Sequence, residues 1–118
     1  MIVKDCGLVT RLEEKYIDAA STISGCAPAY TYLYADALIS AVENIGIENE
    51  LATKLAGEML IGAGKTILET GKKPSTLIDE VCSPGGCTIE GIKVMQDNNI
   101  KDIMMQATSA SYEKNKKL

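Results

Sequence analysis

The chain has 118 residues, 46% of them hydrophobic, which is enough for one domain with a core and short for two. Its formal charge of −4, with acidic and basic residues interspersed until a lysine-rich end, leaves no footprint for nucleic acid or an anionic membrane. No apolar run reaches the roughly 20 residues that cross a bilayer, and "MIVKDCGLVT" lacks the basic start and long apolar stretch of a signal peptide, so the sequence reads as soluble and cytoplasmic.

The opening "MIVKDC" reads as a short strand or extended lead-in. In "TRLEEKYIDAASTI", Thr10 stands three residues before Glu13, a capping-box spacing that predicts a short first helix. In "SGCAPAYTYLYADALISAVENIG", Ser24 or Gly25 can cap the next helix and Gly46 can close it. Pro28 fits its first turn, where the missing N–H costs nothing. The predicted helix, about residues 28–44, is apolar on nearly every side, with Asp36 and Glu43 its charged residues. A helix of that kind is expected to be buried all round.

A third helix, about residues 49–69, repeats Leu51, Leu55, Met59, Ala63 and Ile67 at four-residue spacing. Gly57, Gly62 and Gly64 in its interior each cost about 1 kcal/mol relative to alanine, so close approach of another helix is the expected compensation. "ETGKKPS" ends it with a glycine cap, lysines and a proline. A brief helix over "STLIDEVC", a loop, a helix over about 87–96, a break at 97–99 and a last helix from Ile100 complete an all-α helical bundle. Two neighbouring helices near twice the mean length of about 11 to 12 residues leave more apolar surface than one small bundle covers. The expectation is an interlocked homodimer in which protomers share their long buried helices.

Several motifs resolve into ordinary structure. Cys6, Cys26, Cys82 and Cys87 contain no CxxC pair and read as free thiols; with no histidine in the chain, no metal site is expected. "IGAGKTI" resembles the end of a P-loop at Gly64, Lys65 and Thr66, but Met59 stands where that motif needs glycine, and a helix stands where it needs a strand. Tyr30, Tyr32 and Tyr34 alternate, which scatters them around a helix as amphipathic interface residues. The adjacent acid pairs Glu13 and Glu14, and Asp79 and Glu80, diverge on a helix and read as solvated surface.

The stretch "VCSPGGCTIEGI", residues 81–92, is different. Ser83, Pro84, Gly85 and Gly86 lead directly into a helix start at Cys87 and Thr88, so backbone N–H groups face outward at the positive end of the helix dipole. Such a terminus is suited to an anion, glycines allow close backbone approach, and the hydroxyls of Ser83 and Thr88 add directional hydrogen bonds. On spacing alone, a simple capping turn with Ser83 or Thr88 as the cap fits equally well.

"SGCAPAY", followed some fifty residues later by "KPSTLIDEVCSPGGCTIEGIKVM", resembles the C-terminal domain of pyrroline-5-carboxylate reductase. That family carries a serine-glycine-x-x-proline-alanine-tyrosine segment and an aspartate-x-valine-x-serine-proline-glycine-glycine-x-threonine signature, and the likeness runs from about Gly7 to Leu118. The resemblance implies NADPH- or NADH-dependent reduction of the cyclic imine to L-proline, in proline biosynthesis. It also implies a helical domain that dimerises by interlocking its long helices, with assemblies beyond the dimer left open. By the same resemblance, Ser83 and the backbone N–H groups of Cys87 and Thr88 bind the substrate carboxylate within a turn shaped by Gly85 and Gly86. The Thr88 hydroxyl faces the ring nitrogen as the catalytic group, and Val81 lines the pocket. The family's Rossmann domain is expected to be absent, with residues 1–9 a remnant of the interdomain lead-in and residues 10–118 the rest of a single dimerisation domain. The chain alone is then expected to bind no cofactor and to be inactive; the alternative is a non-catalytic helical dimerisation module derived from that family.

Overall fold

The computed structural model describes residues 11–118. The lead-in reading of residues 1–9 and the Thr10 cap fall outside them. The described chain opens with a 3-10 turn, Glu14–Tyr16, and a short helix α1, Ile17–Ser21. A π-helical turn, Thr22–Cys26, follows, and then α2, Ala27–Ile45. The expected break at Ser24 and Gly25 does not occur: Ser21 (φ −69, ψ −23) and Ala27 (φ −63, ψ −24) at the two joins are helical. The Ser24 hydroxyl that looked like a cap bonds backwards instead, Ser24 Oγ donating to the Ala20 carbonyl at 3.2 Å, as Thr22 Oγ1 does to that of Asp18 at 2.9 Å. Pro28 supplies the physical reason for the widened turn. A proline ring inside a helix crowds the carbonyl four residues earlier, and one extra residue per turn just ahead of it relieves that contact.

Helix α2 ends where Gly46 takes φ 114, ψ 10, a left-handed conformation that glycine adopts without a Cβ clash. Gly46 N–H donates to the Glu43 carbonyl at 3.0 Å and Ile47 N–H to that of Val42 at 3.0 Å, the paired bonds of a Schellman ending. Asn49 Nδ2 reaches Glu43 Oε1 at 3.1 Å across the same corner. Helix α3, Asn49–Thr70, then returns alongside α2 and buries Ala52 and Ala56, which are 2% and 6% exposed. Gly71 (φ 64) ends α3, and Pro74 opens α4, Pro74–Val81. Helix α5, Cys87–Asp97, is joined to α6, Ile100–Lys116, through Asn99 in the left-handed region. Helix α6 comes back onto the start of the described chain. There Tyr30 Oη bonds the Ala107 carbonyl at 3.2 Å and Ser111 Oγ, and Asn115 Nδ2 donates to Ser21 Oγ at 3.0 Å. Thr22 is buried beneath this clasp.

The chain keeps few apolar side chains from water. Its accessible surface is 9773 Å², whereas a folded monomer of 12.6 kDa exposes about 6,200 Å². Its radius of gyration is 16.8 Å, against about 13.5 Å for a compact domain of this length. Helix α2 contains no fully buried residue, so the all-round burial expected of it is not met within one chain. Leu33 is 71% exposed and Leu68 79%. Added Cβ atoms at Gly57, Gly62 and Gly64 would meet nothing within 4 Å, so the close neighbour these glycines call for does not come from the described residues. Between α2 and α3 lies an open apolar groove of about 260 Å³, lined by Leu38, Val42, Leu55 and Met59 among others.

Candidate functional site

The junction of α4 and α5 is built from short-range interactions. Cys82 leaves α4 in an extended conformation (φ −87, ψ 110) while its N–H still bonds the Ile78 carbonyl at 2.9 Å. Gly86 N–H then donates to the Ser83 carbonyl at 3.0 Å, closing a four-residue turn. Pro84 stands at its second position, and Gly85 at its third has φ 76, the pattern of a type II turn. The space at Gly86 is tight for a separate reason. A Cβ there would lie 2.8 Å from Ser83 Oγ and 3.1 Å from the Ser83 carbonyl oxygen, so the serine side chain occupies the space that any larger residue at 86 would need.

Gly86 (φ −81, ψ 169) is the last residue before α5, and no side chain caps that helix. The capping alternative for Ser83 and Thr88 is therefore not the observed arrangement. The first N–H groups of α5, beginning with Cys87 and Thr88, have no intrahelical acceptor and point out of the helix start. Glu90 sits in the same first turn and places a carboxylate near the positive end of the helix. An anion arriving at the turn meets backbone donors and the Ser83 hydroxyl, with Glu90 as the opposing charge.

Ser83 and Gly86 are in direct contact; Val81, Gly85, Cys87 and Thr88 are exposed around them, Val81 at 66%. The site is thus an open surface feature on this chain. Upstream, Lys72 Nζ bonds Glu80 Oε1 at 2.6 Å, tying the segment after α3 to the last turn of α4. Sequence reasoning treated Glu80 as plain surface and missed this pair, whose eight-residue spacing spans a helix corner and matches no helical repeat. Gly64, Lys65 and Thr66 lie within the uninterrupted α3, where Thr66 Oγ1 donates to the Gly62 carbonyl at 2.8 Å. Among the described residues no group of three or more histidine, cysteine, aspartate or glutamate side chains is placed to hold a metal ion.

Among the described residues, fold and turn together give an all-helical domain with uncovered apolar helices and a helix start whose backbone donors no side chain caps. Its sequence matches the family described as pyrroline-5-carboxylate reductase dimerisation over residues 14–118. It is 37% identical over 112 residues to the pyrroline-5-carboxylate reductase of Glycine max, a match that covers 95% of this chain and 41% of the relative. The structure superposes on the NADP-bound pyrroline carboxylate reductase of Plasmodium falciparum with a TM-score of 0.89 and 35% identity, covering 98% of this chain and 46% of that one. For the pyrroline-5-carboxylate reductase of Coxiella burnetii the TM-score is 0.91 at 33% identity, covering 98% and 43%. The chain belongs to the pyrroline-5-carboxylate reductase dimerisation family, and it spans about two fifths of the length of the curated relatives it matches, 41% for that of Glycine max.

Proposed function

We propose that this chain is the substrate-binding and dimerisation domain of a pyrroline-5-carboxylate reductase, working in the reduction of 1-pyrroline-5-carboxylate to L-proline. The observation that carries this reading is the uncapped start of α5 under the Ser83–Gly86 turn, in a chain of this family. The substrate carboxylate accepts hydrogen bonds from Ser83 Oγ and from the N–H groups of Cys87 and Thr88, with Gly85 and Gly86 shaping the approach. The carboxylate so held fixes the ring beside Thr88, whose neutral hydroxyl accepts from the protonated imine nitrogen without opposing its charge. Val81 covers the apolar edge of the ring.

NADPH or NADH supplies the hydride when bound. The described residues contain no strand, and so no strand-to-helix glycine turn of the dinucleotide-binding kind. They do not fit the cofactor, and the reading assigns it to a separate domain, so this chain alone does not turn over. The open faces of α2 and α3 support the second half of the reading. A second copy laid across the groove at Leu55 and Met59 covers the apolar excess and gives Gly57, Gly62 and Gly64 a close neighbour. Tyr32, 70% exposed, is a candidate interface side chain. A ring of dimers is compatible with these surfaces.

The test is an amide chemical-shift titration of the chain with L-proline. Shifts centred on Ser83, Cys87 and Thr88 are expected; saturating L-proline without response at those three residues would sink the carboxylate assignment for this chain.

A further inference from the structure

Two thiols flank the turn, and the proposed function uses neither sulfur. Cys82 follows the end of α4, Cys87 opens α5, and the four residues between them form the hydrogen-bonded turn. Such a turn holds its outer Cα atoms within about 7 Å of each other. Each cysteine is the residue just beyond one of those ends. Cys82 (φ −87, ψ 110) lies just beyond α4 in an extended conformation, and Gly86 (φ −81, ψ 169), the last residue of the turn, is extended and leads straight into Cys87, the first residue of α5. A disulfide needs Cα atoms roughly 4.4–6.8 Å apart, so the tie requires the residues next to the turn's ends to stay about as close as the ends themselves. Cys87 is exposed and Cys82 half-buried, and both are reduced.

We propose that Cys82 and Cys87 form a reversible disulfide across the turn, a redox latch that rearranges the start of α5. The exposed Cys87 thiolate attacks one sulfur of a low-molecular-weight disulfide such as glutathione disulfide, giving a mixed disulfide and releasing one glutathione thiolate. Cys82, deprotonated to solvent, attacks the Cys87 sulfur and releases the second. The two protein thiols lose two electrons, the small disulfide gains them, and the two protons end on the two glutathione molecules. The order follows from exposure, since an accessible sulfur meets the oxidant first. Once formed, the covalent tie overrides the Ser83–Gly86 hydrogen bond as the constraint on the turn and moves the Cys87 N–H with it. That this weakens carboxylate binding rests on the function proposed above; the bond itself does not.

The chain is incubated with glutathione disulfide, alkylated, digested and mapped without reduction. The expected product is a peptide linking residues 82 and 87, lighter than the dithiol by two hydrogens, reversed by dithiothreitol and unchanged in Cys26→Ser. The amide resonances of Gly86, Cys87 and Thr88 shift with it. Recovery of both cysteines as thiols or glutathione adducts overturns the latch, as does a link to another cysteine or a link that leaves residues 83–88 unshifted. L-proline is then titrated into both forms, with affinity at least tenfold weaker expected in the oxidised one. Equal affinity in the two forms overturns the claim that the latch weakens carboxylate binding. A reduced chain silent to L-proline counts against the carboxylate reading alone, and the mapping and shifts still decide the latch.

Discussion

Along α2 and α3 the apolar side chains are large and open, with Leu33, Leu55 and Leu68 between 55% and 79% exposed. Across the turn between α4 and α5, by contrast, the hydrogen bonds join residues no more than four positions apart. The first region has helices whose ends are well defined and whose faces lack a counterpart. The second is complete without any distant contact. A local signature can therefore fix a turn to within a hydrogen bond, while the helices of the same chain leave their apolar faces uncovered.

The comparison breaks most sharply if the open groove is charged. Leu55→Asp puts a carboxylate in the apolar groove, and burying it against a second copy costs several kcal/mol. Sedimentation should show loss of the dimer at micromolar concentration, with lower helix content by circular dichroism; an unchanged sedimentation profile rules out this groove as the interface. At the turn, Gly86→Ala crowds Ser83 aside, and a cost of about 1–3 kcal/mol is expected to fall on the turn while the helices persist. The readout is loss of L-proline shifts at residues 83–88 with the dimer retained. Thr88→Ala, in the chain joined to a cofactor domain, should lower turnover on the order of tenfold, equivalent to about 1.4 kcal/mol, with the dimer intact. An unaltered rate removes Thr88 from the chemistry. The smallest effect belongs to the α6 clasp. Tyr30→Phe deletes the bonds to Ala107 and Ser111 and should cost about 1 kcal/mol in a thermal melt, with L-proline shifts unmoved.

Much of the fold was legible because its punctuation is local. Gly46 and Gly71 end helices at positive φ for a reason contained in their own backbone geometry, while Pro74, which reads in sequence as the stop beyond the third helix, also opens α4. The turn's shape was legible for the same reason. Ser24 and Gly25 misled because a serine hydroxyl can serve its own helix as readily as cap the next, and spacing does not distinguish the two uses. The π turn depends on how the chain accommodates Pro28, which helical periodicity does not encode. The Tyr30 and Ser111 contact joins residues 81 positions apart, beyond any local pattern. Burial was half legible: the apolar count of α2 announced a core, but composition does not say on which molecule the cover resides.

Among the described residues, Ala52 and Ala56 are the buried apolar side chains, and alanine gains little from that transfer. In the dimeric reading most of the hydrophobic reward arrives when two chains meet, so folding and association become one bimolecular event. The midpoint of unfolding then climbs with protein concentration, and refolding slows on dilution. Such a protein has no fixed stability of its own; how long it survives depends on how much of it is present.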